Sequence, residues 1–381
     1  MTWDAWTERE INAIRGAGRW REPRSFDARG PRGTLADADD TGPGREVVSF
    51  ASNDYLGLTA HPTVIAAAHE ALDRWGAGAG SARLIVGSRP VHTELEHELA
   101  EWKASQRAAL FPTGFATNLG VITTFARPGV LVCSDELNHA SIIDGCRLAS
   151  RADVAVYRHR DLDHLAALLR DRGARRALVV TDTVFSMDGD LADVDALLDL
   201  CAREGALLVI DEAHAVLGPD LDAPAGLDVL RIGTLSKTLG SLGGFVAGSA
   251  RSIALVENLA RPYIFTTAPT PADTAAALAA LRIVRSSEGA GLARRLRAHV
   301  DRLRPGHPSP IVPFVCGEEQ RALDAARALL DDGLLVPAIR PPTVPPGTSR
   351  LRVTVSAAHT DAQVDHLLRA LTAVLGSVPV R

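Results

Sequence analysis

Lysine is almost missing from this 381-residue chain: there are two, Lys103 and Lys237, against 39 arginines. Arginine keeps its proton near neutral pH and cannot attack a carbonyl as a free amine, whereas lysine can once its pKa falls. Cysteine is scarce too. Cys133, Cys146, Cys201 and Cys316 are scattered, without C-x-x-C spacing or a neighbouring histidine cluster. That excludes a legible metal site or disulfide frame and fits free thiols in a reducing cytoplasm. No apolar run reaches the roughly 18–20 residues of a membrane span. The polar start, Met1-Thr-Trp-Asp-Ala-Trp-Thr-Glu, is unlike a signal peptide. No Gly-x-x-x-x-Gly-Lys-Ser/Thr phosphate loop occurs, which removes the partner a nucleotidase needs. Basic tracts are absent as well. A net charge of −5 with mixed signs argues against nucleic acid or a membrane surface as partner.

What is present is alternation. Ala108–Phe111, Val130–Cys133, Val154–Tyr157, Ala177–Thr181, Ala206–Ile210 and the approach to Thr234 are short apolar runs separated by helical stretches. Near-continuous apolar strands between helices predict an α/β fold with a mostly parallel sheet covered on both faces. Such sheets collect function beyond the carboxyl ends of their strands. Polar residues fall there: Thr113-Gly114, Asp135 to His139, Ser186 to Asp188, and Asp211 to His214. The length calls for more than one domain. The expected division is an N-terminal helix and irregular arm (1–46), a large domain (47–272) and a smaller C-terminal α+β domain (273–381). Gly76-Ala-Gly-Ala-Gly-Ser81 imitates a dinucleotide fingerprint, but Ser81 and the preceding helical segment exclude that reading. Lys103 follows an amphipathic helix among Glu96, Glu98 and Glu101, and the pattern places it on a solvated face.

Lys237 sits in Thr234-Leu-Ser-Lys-Thr-Leu-Gly240, a setting suited to Schiff-base chemistry. Asp211 ends a buried strand, where a carboxylate needs a cationic or hydrogen-bonding partner; a protonated pyridine nitrogen would serve. Thr113-Gly-Phe115 lies where a strand feeds a helix, so its backbone N–H groups can bind phosphate. His139, Ser186 and His214 complete the set.

Ser52-Asn-Asp-Tyr-Leu-Gly-Leu58, Leu137-Asn-His-Ala-Ser-Ile-Ile-Asp144, Val184-Phe-Ser-Met-Asp-Gly189, Asp211-Glu-Ala-His214 and Thr234-Leu-Ser-Lys237 together carry a resemblance. Over nearly its whole length the sequence resembles the α-oxoamine synthases, pyridoxal 5'-phosphate enzymes of the aspartate-aminotransferase-like fold (fold type I). The resemblance implies a homodimer with active sites at the interface. It gives Lys237 the cofactor and the substrate α-proton, Asp211 the ring nitrogen, and His214 and Ser186 the ring oxygen. His139 would stack on the ring, Gly114, Phe115 and Thr234 would hold the phosphate, and Thr267 would reach the partner's phosphate. Within the family the likeness is strongest to the branch that condenses L-alanine with a pimeloyl thioester, on CoA or acyl carrier protein, for biotin synthesis. Arg352 would then grip the amino-acid carboxylate, and Arg340, Thr343 and Arg21 would meet the acyl substrate. Arginine forks suit carboxylates, and a pimeloyl chain ends in one. The glycine-using relatives take other acyl groups and usually carry a different residue at the position of Arg340. The chain departs from the family in a shortened loop, Leu217–Asp228, and in Thr113 and Ala215.

Overall fold

The computed structural model describes residues 2–37, 42, 44–149 and 151–376; Met1 and residues 377–381, the outer ends of the terminal segments, lie outside them. Helix α1 (Trp3–Gly16) leads into strands β1 (Arg24–Ala28), β2 (Arg32–Asp37) and β3 (Arg45–Ser49), then helices α2 (Pro62–Trp75) and α3 (Pro90–Trp102). The core alternates β4 (Arg107–Phe111), α4 (Gly114–Phe125), β5 (Val130–Asp135), α5 (Ala140–Leu148), β6 (Asp153–Tyr157), α6 (Leu162–Arg170), β7 (Arg176–Asp182), α7 (Val194–Glu204) and β8 (Leu207–Asp211). Next come β9 (Val229–Thr234), β10 (Gly244–Gly248), α8 (Ala250–Leu259), α9 (Arg261–Ile264), α10 (Pro271–Val284) and α11 (Ser287–Leu303). The chain closes with β11 (Ile311–Gly317), α12 (Glu319–Asp331), β12 (Leu334–Leu335), β13 (Ala338–Ile339), β14 (Ser349–Thr354) and α13 (Asp361–Leu375).

The six expected apolar strands all lie in one seven-stranded sheet of order β4-β10-β9-β8-β7-β5-β6. Most of their residues are buried between helices, which is why they read as continuous apolar runs; the exception is the edge strand β6, where Val154 and Val156 are exposed. The seventh strand, β10, is antiparallel to β4 and β9 and was hidden in the sequence behind Gly243-Gly244. Its glycine is needed: a Cβ on Gly244 would stand 2.6 Å from the Gly114 nitrogen. Two smaller sheets, β1-β2-β3-β12 and β11-β14-β13, flank the large one.

The N-terminal arm is not irregular. β1 and β2 form an antiparallel hairpin, invisible to hydrophobic periodicity because Leu35 is the one apolar side chain it buries. β3 pairs with β12, and α10 packs on α2 and α3. These contacts join elements on the two sides of the expected boundaries. No helix among the described residues is long and apolar enough to cross a membrane.

Lys103 is not solvated. It caps α3, so its side chain turns away from the glutamate stripe and over the Trp102 ring, with Nζ 3.9 Å from the ring centre. Its ammonium reaches Glu212 at 2.9 Å, and Arg231 holds the other carboxylate oxygen at 2.6 Å. These partners are distant in sequence, so nothing local announced them. Lys103→Met leaves a buried carboxylate with one partner. The expected result is a loss of about 3 kcal/mol in stability, read by urea denaturation; an unchanged midpoint would contradict the pairing.

Candidate active site

Strand ends supply the site. At the end of β4, Thr113 caps α4 by accepting from the Ala116 N–H at 3.0 Å. Gly114 then opens the helix so close to Thr234 that an added Cβ would meet the threonine Cβ at 3.3 Å. Thr234, ending β9, pairs with Ser236 Oγ at 2.7 Å and donates to Gly243 O at 3.0 Å. Hydroxyls and first-turn N–H groups thus converge, the arrangement that binds phosphate.

Beyond β5, His139 caps α5: its Nδ1 lies 2.7 Å from Ser141 Oγ, and its own N–H donates to Asp182 Oδ2 at 2.8 Å. Beyond β8, Asp211 accepts from the Ala213 N–H at 2.9 Å and from Asn118 Nδ2 at 2.7 Å. His214 follows in the same turn, and its Nε2 lies 2.8 Å from Lys237 Nζ. All of these line one cavity of about 240 Å³ with Gly114, Phe115 and Thr234. Ala215, one of the family departures, lies outside it, beside the Lys103–Glu212 pair.

The electrostatics shift Lys237 toward its neutral form. Burial lowers the Lys237 pKa and Arg352 adds to the effect, while Asp211 and Asp182 oppose it. Burial, then the charge of Lys237, drives His214 well below its ordinary value, so its ring is neutral. Burial, then the neighbouring Asp211, pushes the Asp182 pKa well above its ordinary value.

Several contributors were not singled out in the sequence. Tyr55 Oη donates to Asn53 Oδ1 at 3.2 Å and lies 2.5 Å from His214 Nδ1. The ring then donates from Nδ1 to the phenol and presents Nε2 to Lys237 as an acceptor. Asn53 Oδ1 also accepts from Arg352 Nη2 at 3.2 Å, joining Arg352 to Lys237 through one chain of hydrogen bonds. The Asn53-Asp-Tyr stretch at the end of a strand was the available signal. Asn118, inside α4, and Asp182, closing β7, stand among threonines and were not marked out by any spacing.

Arg352 is buried, and its Nε donates to the Ser186 carbonyl at 2.5 Å. Ser186 does not line the Lys237 cavity. It lines an adjoining one of about 690 Å³ with Thr343, Arg350 and the Pro341–Pro346 bend. Arg21, Arg340 and Thr343 come together in a third cavity of about 250 Å³, next to it and sharing Arg19. Thr267 lies in none of these; it is exposed on the loop after α9, whose Ala268 N–H donates to Ser81 O at 3.0 Å. Among the described residues, no cluster could hold a metal ion.

A fold of this kind, with a lysine and an aspartate on adjacent strand ends of a mainly parallel sheet, defines a class. The chain belongs to the aminotransferase class I and II family, whose model matches residues 45–371. It is 49% identical to 8-amino-7-oxononanoate synthase from Anaeromyxobacter dehalogenans (strain 2CP-1), over 96% of this chain and 98% of that protein. It is 46% identical to the enzyme of that name from Methylobacterium nodulans, over 97% and 96%. Among solved structures, serine palmitoyltransferase from S. paucimobilis with a bound PLP–myriocin aldimine aligns at TM-score 0.88 and 29% identity, covering 97% of this chain and 96% of that one.

Proposed function

We propose that the protein condenses L-alanine with a pimeloyl thioester, forming 8-amino-7-oxononanoate, CO2 and the free thiol carrier, as a homodimer in the cytoplasm. The observation that carries this reading is the presence of two kinds of site: the Lys237–His214–Asp211 cavity, and a cavity walled by Arg21 and Arg340 that shares Thr343 with the larger cavity lined by Ser186.

The first cavity fits pyridoxal 5'-phosphate. Gly114 and Thr234 leave a tight cradle at the start of α4, and Asn118 Oδ1 is buried with no hydrogen-bond partner of its own. Gly114, Phe115 and Thr234 would hold the phosphate, Asp211 the ring nitrogen and His214 the ring oxygen, with His139 against the ring. Bound there, the cofactor supplies an electron sink for the pair left on alanine's Cα.

The chain's own residues do the rest. Arg352 holds the alanine carboxylate, and the chain through Asn53, Tyr55 and His214 fixes Lys237 relative to it. Lys237, its amine lowered by burial, takes the α-proton and later returns one. Across the reaction the Cα–H and Cα–carboxylate bonds break, a bond from Cα to the acyl carbon forms, and the thiol leaves with a proton. Arg340, with Arg21 and Thr343, holds the far carboxylate and so selects the acyl chain. Ser186, outside the cavity, orients Arg352 through its carbonyl. Thr267 faces outward with Ile85 and Phe265, 74% and 70% exposed, and serves the site of a second copy.

Alanine with pimeloyl-CoA is expected to be turned over far faster than glycine with acetyl-CoA, and the reverse preference would overturn the assignment. Arg340→Ala is expected to raise the KM for pimeloyl-CoA by about 30-fold or more, the loss of a charge-paired contact, with alanine KM unchanged.

A further inference from the structure

Ser186 and Asp188 reach the arginines of β14 from a tight turn, residues 184–191, closed by the Val184–Leu191 bridge. Inside the turn the Phe185 N–H donates to Asp190 O at 3.0 Å, and Gly189 N–H to Phe185 O at 2.8 Å. On one side the turn meets the C-terminal sheet: Arg352 donates to Ser186 O, Arg350 pairs with Asp188, and Ser309 donates to Gly189 O at 2.8 Å. On the other side it meets His159 and, through Asp190, the Arg160 side chain. The His159 Nε2 lies 2.8 Å from Asp190 Oδ2, and its Nδ1 lies 3.0 Å from Asp135 Oδ1. Its ring stands edge-on to Phe185, 4.3 Å between centres, and its backbone N–H donates to Glu136 Oε1 at 2.8 Å.

Each ring nitrogen faces a carboxylate, and a carboxylate only accepts; both nitrogens therefore donate, and the ring is an imidazolium. Asp135, at the end of β5, is rigid: it is buried and also accepts from the N–H groups of Leu137 at 2.9 Å and Arg160 at 2.9 Å. Asp190 belongs to the turn. The imidazolium thus ties the carboxylate of the turn to the one at the end of β5. No other nitrogen in the cluster can reach both, since Arg160 meets Asp190 through its side chain at 3.1 Å and Asp135 only through its backbone.

We propose that His159 is a positioning residue for substrate binding: its charged ring, held between Asp135 and Asp190, fixes the 184–191 turn so that the Ser186 carbonyl aims Arg352 at the amino-acid carboxylate. This rests on the reading that Arg352 binds that carboxylate. His159 touches neither substrate nor cofactor, so its loss changes capture of alanine and leaves the chemistry at Lys237 in place.

Protonation gives the clamp a pH range. Burial works against the charge, but the hydrogen bonds and charges of Asp135 and Asp190 outweigh it and hold the His159 pKa up at about 9. Arg160 adds positive charge beside Asp190, and Glu136 and His307 complete the surroundings. A pKa raised above the unfolded value means the contribution is complete below about 6.5 and fades as pH rises through about 9.

The test compares two uncharged variants in the cofactor-loaded enzyme. Glutamine places its amide near the position of Nε2 and can still donate to Asp190; asparagine places its amide near Nδ1 and reaches Asp135 only. His159→Asn is expected to raise the alanine KM about tenfold with kcat within threefold of wild type, and His159→Gln to raise it less. Asp190→Asn, which leaves the Asp135 pair intact, should match His159→Asn, and the double variant should add nothing further. The KM ratio of His159→Asn to wild type should also narrow above pH 9. A lowered kcat at unchanged KM, equal KM in all variants, or a ratio independent of pH would overturn the proposal. Arg352→Lys separates the two readings. If it raises the alanine KM while His159→Asn does not, the positioning role fails and the substrate site stands; if it leaves KM unchanged, both fail.

Discussion

Lys237→Ala is expected to lower turnover by at least about 10⁴-fold while the protein stays folded, since both proton transfers lose their donor and acceptor. No other amine can stand in. The chain has one other lysine, Lys103, and its ammonium is engaged by Glu212 at 2.9 Å outside the cavity. The basis of the prediction is the pairing of Lys237 with His214 at 2.8 Å. A neutral ring accepts a hydrogen bond from the lysine without competing for its proton, and burial makes the amine easier to deprotonate. The variant, incubated with pyridoxal phosphate, should also lack the visible absorbance of a lysine-bound cofactor. Residual turnover within tenfold of wild type would remove Lys237 from the reaction.

The second large effect is at Asp211. Asp211→Asn is expected to reduce kcat on the order of 10³-fold, the scale for loss of a preorganised charge at a reacting group. The cause is geometric as well as electrostatic. Asp211 accepts from the Ala213 N–H at 2.9 Å and from Asn118 Nδ2 at 2.7 Å. An amide can satisfy one of these donors and must turn its own NH2 on the other or on the cofactor ring. Asp182, on the neighbouring strand in register with Asp211, is a poor substitute because burial and the charge of Asp211 disfavour its ionised form. Cofactor retention should fall less than kcat, since the cradle of Gly114 and Thr234 is untouched. Saturation kinetics with both substrates measures this, and a kcat within tenfold of wild type would contradict the role.

The parallel sheet could be read from the chain because most of its strands are apolar runs, with polar residues at or a few positions beyond several of their ends. That rule located Gly114, His139, Asp211, His214 and Lys237, which share one cavity. Residues whose role depends on distant partners left no such mark. Lys103 read as solvated because Glu212 and Arg231 are remote in sequence. β10 was not among the expected strands; it begins with the glycine that lets it approach Gly114. The resemblance put Ser186 on the cofactor, whereas its carbonyl meets Arg352, a partner far away in the chain. Tyr55 and Asn53 escaped because their importance lies in joining Arg352 to His214, a contact between opposite ends of the chain.

The most direct test of the account follows the carboxyl carbon of alanine. With L-alanine labelled with ¹³C at the carboxyl carbon and pimeloyl-CoA, the expected result is one labelled CO2 for each free CoA, and an unlabelled product with the mass of 8-amino-7-oxononanoate. Retention of the label in a keto acid, with the amino group passed to another keto acid, would instead mark an aminotransferase and contradict the account.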